Sequence, residues 1–520
     1  MILFLKRGND LSRKKKLILN TGAGILKQIV TVICGFILPR YMLIYYGSSV
    51  NGLVSSIANF LSFISLLDMG VGAVVQANLY KPLADKDNEQ ISCIVKSSER
   101  FFRRLAYIFI GYIVFLCIAF PVTINTAYSS WFTISLLLII SISTLAQYLF
   151  GMTYQLLLNA DQKSYIQLTM QLITIVLNTL LSVIMMKLGA PIHMVKLMTA
   201  IVFVLRPLGQ MIYVRKNYKI DRSVQLTGEP IKQKWNGFSQ HMAAVVCKNI
   251  DVVALTFFST LENVSVYSVY FNVTSGVEQI VMTAATGLES LFGNMIAKNE
   301  TEKLIKTFSA VEWIVHTGIT VIFTISAITI VPFIRVYTDG VTDANYIAPL
   351  FGVLLVSAYA AECLRVPYFR VIKAARHFKE TQNGAYISAA LNIVITLTLV
   401  FKFGLIGAAL GTLAAMVYHT CYFVWYLQNH ILHRSARFFV QYILTDAAIA
   451  VSSYLITKVF SMNSVSYVSW AFYAAKVSLL VLLIALLVNI VFYREYMGAI
   501  GGQFRKSIKK LAGHYSNPNK

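Results

Sequence analysis

The feature that most constrains this chain is a succession of apolar segments, each about as long as a helix needs to cross a bilayer. A transmembrane helix takes about 20 mostly apolar residues. Fourteen such segments can be placed near 17–42, 50–79, 105–126, 131–158, 164–187, 192–214, 237–259, 264–297, 307–334, 346–372, 381–401, 403–428, 438–460 and 466–492. The alternating pattern of a membrane β-barrel is absent from the sequence. The sequence therefore predicts an all-α polytopic membrane protein with about 14 transmembrane helices.

The composition supports this class and argues against several others. The chain is 57% hydrophobic and 13% charged, whereas soluble domains carry about a quarter charged residues. It contains neither a phosphate-binding GxxxxGK[ST] motif nor a CxxC pair among its six cysteines. No nucleophile–base arrangement stands out either. We therefore expect a protein that is not an enzyme, with no cofactor and no metal site.

The basic residues are the second strong signal. The chain has 45 Lys and Arg against 22 Asp and Glu, an excess that by itself would suggest nucleic acid. With the N-terminus inside, 34 of the 45 fall at cytoplasmic ends, 6 outside and 5 within spans. Cytoplasmic loops of membrane proteins carry such an excess. The pattern therefore predicts cytoplasmic termini and explains the charge without nucleic acid.

The sequence also repeats itself. Tyr154 and Asn178 have the same spacing as Tyr368 and Asn392, and the surrounding apolar segments are alike. The segments GLVSSIANF and SVYSVYFNV align at nearly the same shift. Spans 1–6 and 7–12 therefore form two copies of one six-helix unit in this interpretation. An even number of spans makes the copies parallel, related by a pseudo-twofold axis along the membrane normal.

This repeat predicts a domain organisation and a mode of action. Two parallel lobes favour transport by alternating access, with the substrate path between them near mid-membrane. The predicted segments are a cytoplasmic basic tail (1–16), an N-lobe (17–214), a cytoplasmic linker (215–236), a C-lobe (237–428), two additional C-terminal helices (438–492) and a second cytoplasmic basic tail (493–520).

Two lysines inside the spans are the main candidate site. Lys27 in span 1 and Lys248 in span 7 lie at similar depth in corresponding helices. Because residues seven apart nearly superimpose around a helix axis, Asn20 shares a face with Lys27, and His241 shares one with Lys248. Charge within a membrane is costly and is functional by default. We therefore expect Lys27 and Lys248 to line a water-filled cavity and hold an anionic group.

Other charged residues inside the spans extend this candidate cavity. Lys248 and Asp251, like Glu362 and Arg365, stand three residues apart and could instead simply neutralise each other. Asp251 is thus either a coupling carboxylate or the partner that makes Lys248 tolerable. Arg206, which precedes a proline, is a further candidate cation of the cavity. Glu278 and Asp68 are further candidate carboxylates. Three residues at the start of span 9, Glu312, Trp313 and His316, are predicted to be solvated at the membrane interface, and the late residues His419 and Asp446 are predicted to pair locally.

Three segments resemble one family of transporters. The segments are 45–75, at the junction of spans 1 and 2, 249–273, which reads NIDVVALTFFSTLENVSVYSVYFNV, and 368–416, across spans 10–12. They are similar to bacterial polysaccharide flippases of the O-antigen or capsule type, in the multidrug/oligosaccharidyl-lipid/polysaccharide exporter superfamily. The resemblance covers most of residues 15–430.

The resemblance implies a specific function. Members of this family move a lipid-linked oligosaccharide, usually on undecaprenyl pyrophosphate, from the cytoplasmic to the outer leaflet of the bacterial inner membrane. The lipid-linked substrate and membrane lipids are the implied partners, and a proton or sodium counter-ion and a polysaccharide polymerase are further candidates. By position, Lys27 and Lys248, with Arg365, would engage the pyrophosphate. Asp251 or Glu278 would be the coupling carboxylate.

Two alternatives remain at this point. A cation-coupled exporter of drugs or metabolites has the same fold, but its acidic residue in the first span is missing here, because 17–42 contains no Asp or Glu. A membrane glycosyltransferase or ligase usually needs large outer loops, and the outer loops of this sequence are short.

Overall fold

The computed structural model describes residues 13–66, 71–124, 128–221, 223–224 and 238–498. All regular structure in these ranges is helical, which confirms the predicted fold class. The α-helices are α1 (Arg13–Ser62), α2 (Val71–Asp85), α3 (Asn88–Thr123), α4 (Ser130–Ala146), α5 (Met152–Ala160), α6 (Ser164–Lys187), α7 (Ile192–Asn217), α8 (Phe238–Phe258), α9 (Leu261–Ala284), α10 (Leu288–Ala297), α11 (Thr301–Tyr337), α12 (Pro349–Leu364), α13 (Val366–Ala374), α14 (Gln382–Phe403), α15 (Leu405–Leu427), α16 (Arg437–Thr457) and α17 (Tyr467–Phe492).

Twelve helical segments in the described ranges are long and apolar enough to cross a membrane. The difference from the predicted fourteen has two sources. The first two predicted spans are joined in one helical segment, Ile18–Leu66. The predicted span 7 corresponds to the helix α8, which carries Lys248 and Asp251; its side chains are described only from Met242 onward, so the count of twelve does not test it. The other predicted spans each correspond to one of these segments.

A glycine bends the first helix where a span boundary was predicted. Gly47 has a φ of 80° inside α1, in the left-handed region that favours glycine. The next segment starts at Ser48, whose backbone N–H and hydroxyl both donate to the carboxylate of Asp343, at 2.6 and 2.7 Å. A Cβ atom at Gly47 would lie 2.7 Å from Asp343 Oδ2. The distant loop around Asp343 thus caps the second half of α1, as an N-cap residue would.

The basic segment before the predicted span 3 belongs to a long helix. The sequence EQISCIVKSSERFFRR forms the first part of α3. Asp87 starts this helix by accepting a hydrogen bond from the backbone N–H of Gln90, at 3.0 Å. Asp87 thus caps a backbone N–H group at the start of α3. The amphipathic start and the apolar span of α3 form one helix of 36 residues.

The chain divides into two compact units. Unit 1 consists of Met1–Asn272, Gly340–Asn345 and Asn392–Ala408, and unit 2 of Val273–Asp339, Tyr346–Leu391 and Ala409–Lys520. The core of unit 1 includes Leu53, Phe109 and Leu157, all fully buried. In unit 2, Phe292 and Phe308 pack with Tyr368. Unit 1 therefore extends beyond the predicted N-lobe, to α8, the start of α9 and most of the second half of α14.

Equivalent hydrogen bonds support the sequence repeat. Asn178 in α6 accepts from Ser182 at 3.3 Å, and Asn392 in α14 accepts from Thr396 at 2.9 Å. Both asparagines are buried. The two hydroxyl residues follow their asparagines by one helical turn, so each copy of the repeat builds the same polar contact.

Candidate functional site

The two central lysines have different surroundings. Lys27 is half-buried on α1, and its backbone carbonyl accepts from the hydroxyl of Thr31 at 2.8 Å. Lys248 is exposed on α8. The side chain of His241 and the whole of Asp68 lie outside the described residues, so their predicted roles stay predictions.

Asn20 joins α1 to the turn between α5 and α6. Its Nδ2 donates to the carbonyl of Gln162 at 2.9 Å, and its Oδ1 accepts from the backbone N–H of Tyr165 at 2.7 Å. Both ends of the amide are thus engaged within unit 1. This contact places the predicted face of Asn20 and Lys27 next to α6, and Asn20 itself fixes the position of the helix.

A charged cluster surrounds Asp161 in the same turn. Its carboxylate is 3.2 Å from Lys16 Nζ and 2.7 Å from Lys163 Nζ, and it accepts from the hydroxyl of Tyr218 at 2.5 Å. Burial raises the pKa of Asp161, but hydrogen bonds from Lys163 and Tyr218 and the charges of Lys163 and Lys16 outweigh it and lower that pKa. Burial and the adjacent carboxylate raise the pKa of Tyr218. The cluster therefore holds a fixed negative charge between two ammonium groups.

The side chain of Arg206 donates a hydrogen bond to an amide and not to a carboxylate. Its Nη2 donates to Gln147 Oε1 at 3.1 Å, in the π-helical turn Gln147–Gly151. The amide of Gln147 in turn donates to Gln155 Oε1 at 3.0 Å. The Arg206 Nε and both amide atoms of the fully buried Gln210 have no hydrogen-bond partner within the described residues. Arg206 thus sits among uncharged polar groups within unit 1.

Asp251 lies in a buried polar cluster of unit 1. Only 1% of the residue is exposed. Tyr267 donates to its Oδ2 at 2.9 Å, and the Thr396 hydroxyl lies 3.3 Å from its Oδ1. Asn392 in the same cluster donates to the carbonyl of Cys247 at 3.3 Å. The hydroxyl of Tyr267 in α9 therefore donates to this buried carboxylate, and the hydroxyl of Thr396 in α14 lies beside it while donating to Asn392 at 2.9 Å.

The predicted pair of Glu362 and Arg365 forms within unit 2. Arg365 Nη2 is 3.3 Å from Glu362 Oε1. Arg365 Nη1 also donates to His419 Nδ1 of α15 at 2.8 Å, a contact between residues 54 positions apart. Glu278, also in unit 2, is buried on α9 with 5% of the residue exposed. Arg365 is therefore already partly neutralised, unlike an isolated cation.

The sequence interpretation missed a buried network at the start of α11. Glu312, Trp313 and His316 were expected to be solvated, but they are 0%, 5% and 1% exposed, so this prediction was wrong. The reason is that α16 and α17 cover this part of α11. Trp313 Nε1 donates to Asn489 Oδ1 in α17 at 2.6 Å. The apolar period of α11 alone does not reveal helices that join the core from the end of the chain.

The network contains four ionisable groups and one tyrosine hydroxyl that connects them. Arg434 Nη2 donates to Glu312 Oε2 at 2.5 Å, and Tyr368 donates to Glu312 Oε1 at 2.6 Å. His316 Nε2 is 3.3 Å from the Tyr368 hydroxyl, and His316 Nδ1 is 2.7 Å from Asp446 Oδ2. Asp446 belongs to α16, so its partner His316 lies on another helix, 130 residues away, and not nearby in the sequence as predicted.

The structure was compared with known proteins. No family model matches the sequence, and no curated protein matches it. Among solved structures, the lipid II flippase MurJ in an inward closed conformation has a TM-score of 0.69 and 16% identity, over 92% of this chain and 100% of that chain. An inward-facing multidrug resistance MATE family transporter of the MOP superfamily has a TM-score of 0.52 and 13% identity, over 78% of this chain and 96% of that chain.

These matches establish the architecture. The chain has the fold of the MOP superfamily. The identities are low, so the likeness concerns the fold and not the substrate. The match with the flippase covers 92% of this chain. The uncovered part is shorter than the segment 437–492, so the match includes at least part of the segment that contains α16 and α17.

The described residues contain no group of three or more His, Cys, Asp and Glu residues that could hold a metal ion. In the buried Asp251 cluster, a carboxylate lies beside hydroxyl groups. In the Glu312 network, carboxylates contact hydroxyl, guanidinium and imidazole groups. In chemical terms, both can bind or release a proton, and neither presents an activated nucleophile.

Proposed function

We propose that the protein is a flippase that moves a lipid-linked oligosaccharide, carried on undecaprenyl pyrophosphate, from the cytoplasmic to the outer leaflet by alternating access. The observation that carries the proposal is the fold match with a lipid II flippase over 92% of this chain and all of that chain. The match with a MATE transporter is shorter and has a lower TM-score. The product would serve the synthesis of a cell-surface polysaccharide.

In this proposal, Lys27 and Lys248 bind the pyrophosphate. The side chain of Lys248 is exposed and that of Lys27 is half-buried, so both ammonium groups are reachable. Hydrogen bonds between ammonium and phosphate are charge-assisted and about twice as strong as neutral ones. Arg365 and Arg206 contribute less, because their guanidinium groups already bond to Glu362 and Gln147.

A counter-ion, H⁺ or Na⁺, is coupled through a buried carboxylate in this scheme. Asp251 and Glu278 are the candidates, with 1% and 5% of each residue exposed. The Tyr267 hydroxyl donates to Asp251 at 2.9 Å and the Thr396 hydroxyl lies 3.3 Å from it, so polar groups surround this candidate. Both termini and the basic loops lie in the cytoplasm, and the membrane is the bacterial inner membrane.

The test is leaflet transfer in proteoliposomes. The purified protein is reconstituted, and transfer of an undecaprenyl-pyrophosphate saccharide is followed with a membrane-impermeant reagent. We expect transfer by the intact protein and a decrease of about tenfold or more for Lys27→Ala combined with Lys248→Ala, because two charge-assisted contacts are lost. The matched control is Lys298→Ala with Lys306→Ala, which removes two exposed lysines outside the candidate site.

Two outcomes would contradict the proposal. Drug efflux driven by protons or sodium, without saccharide transfer, would favour the exporter alternative. Transfer that is reduced equally by both double variants would show that Lys27 and Lys248 act only through net charge.

A further inference from the structure

The inference concerns the network of unit 2 and does not depend on the proposed transport function. We propose that Asp446, His316, Tyr368 and Glu312 form a proton-binding site, in which one exchangeable proton fastens α16 to α11. The contacts form a chain: Asp446 to His316 at 2.7 Å, His316 to Tyr368 at 3.3 Å and Tyr368 to Glu312 at 2.6 Å.

Counting protons along this chain gives the first argument. Three contacts between hydrogen-bonding groups need three protons. A tyrosine hydroxyl supplies one and a neutral imidazole supplies one, while carboxylates supply none. The third proton must therefore be an additional one. The simplest placement has Tyr368 donating to Glu312, which leaves the Tyr368 oxygen and the Asp446 carboxylate both as acceptors for His316.

Charge gives an independent argument for the same proton. Arg434 is always protonated and donates to Glu312 at 2.5 Å. With a protonated His316, two positive charges balance the carboxylates of Glu312 and Asp446. Without that proton, the site has one net negative charge. Glu312, His316 and Tyr368 are 0%, 1% and 0% exposed, and a net charge at such a site is costly.

The surroundings show how the proton can exchange and what it holds. The side chain of Asp446 is 14% exposed, against 1% for His316, so Asp446 is the more exposed member of this pair. The ring of Tyr442 stacks on His316 with centroids 4.9 Å apart. The ionisable groups around His316 are Glu312 of α11, Tyr368 of α13, Arg434 of the turn after α15, Tyr442 and Asp446 of α16, and Tyr493 after α17.

The position of the site explains its consequence. Glu312 and His316 belong to α11, whereas Asp446 belongs to α16, the first of the two additional C-terminal helices. Removing the proton breaks one of the three contacts and leaves a buried charge. Without the proton, His316 can donate to only one of Asp446 and Tyr368, and the charge of Asp446 is no longer balanced, so the docking of α16 on α11 weakens.

The experiment is ¹⁵N NMR of the full chain in lipid nanodiscs, with all eight histidines labelled. His316→Gln assigns the resonance, and if that variant does not fold, a nuclear Overhauser contact with the Tyr442 ring does so. We expect both ring nitrogens of His316 to be protonated at neutral pH. An unprotonated ring nitrogen at neutral pH would overturn the proposal.

A pair of matched variants tests the role of the chain. Tyr368→Phe removes the central acceptor and should shift the ¹⁵N resonances of His316 at neutral pH toward those of a neutral imidazole, because one hydrogen bond to the protonated ring is lost. Tyr154→Phe makes the same change in the other repeat and should leave these resonances in place. Equal His316 resonances in the two variants would show that the chain does not hold the proton.

Discussion

Both repeats place a tyrosine hydroxyl on a glutamate. Tyr154 donates to Glu99 of α3, Tyr368 donates to Glu312 of α11, and both hydrogen bonds are 2.6 Å long. The two tyrosines are the residues that the sequence repeat aligned. The surroundings differ, because Glu99 is partly exposed whereas Glu312 is completely buried.

The difference comes from what packs on the second pair. In unit 2, Arg434 and His316 also contact the pair, and His316 leads on to Asp446 in α16. A duplicated motif has thus become part of a larger charged network where additional helices cover it. The same tyrosine–glutamate contact is therefore partly exposed in one repeat and completely buried in the other.

The largest expected effect tests this difference through Arg434. Arg434→Met leaves the carboxylate of Glu312 buried without its cation, which typically costs about 3–5 kcal/mol. We therefore expect a large loss in the free energy of unfolding, measured by SDS titration in mixed micelles. Arg100→Met, which removes an exposed arginine beside Glu99 in α3, should change it by less than about 0.5 kcal/mol.

A rescue variant sharpens this prediction. Adding Glu312→Gln to Arg434→Met removes the unpaired charge and keeps an acceptor for Tyr368, so most of the lost stability should return. If the double variant is as unstable as the single one, the loss comes from packing around Arg434 and not from charge.

The second prediction compares the two tyrosines directly. Tyr368→Phe removes a hydrogen bond to a fully buried carboxylate, which is worth about 1.5–3 kcal/mol. Tyr154→Phe removes the equivalent bond to a partly exposed carboxylate and should cost about 1 kcal/mol. Thermal unfolding of both variants in the same detergent measures the difference. Equal losses would mean that the added network does not strengthen the bond in unit 2.

The smallest effect concerns pH. The pKa of Asp161 is lower in the folded protein than its ordinary value, so its contribution to stability is present above the unfolded pKa of about 3.9 and is lost as the pH falls through the folded pKa. Asp161→Asn should flatten the acid side of a plot of Tm against pH.

If Asp161→Asn leaves the decrease of Tm at acid pH unchanged, the assignment of that decrease to Asp161 is wrong. Asp221→Asn is a suitable control, because Asp221 is an exposed carboxylate that also has a lowered pKa, but its hydrogen bonds come from the neighbouring Ser223 and not from another helix. The Asp221→Asn variant should show nearly the same decrease of Tm at acid pH as the original protein.

Local patterns determined much of the architecture. Apolar runs long enough for a bilayer predicted the helices, because a membrane leaves the backbone few alternatives. The repeat was visible from the spacing of Tyr154 and Tyr368. The ion pair of Glu362 and Arg365 followed from helical geometry, since residues three apart lie on one face.

Tertiary structure decided which of these polar residues are exposed. Asp343, far along the chain, caps the segment that follows the bend at Gly47, and no local signal near Gly47 specifies that partner. The burial of His316 and Trp313 likewise depends on Asp446 and Asn489, more than 100 residues away. Periodicity reports the apolar face of a single helix, whereas the charge state of a buried group depends on all the helices that exclude water from it.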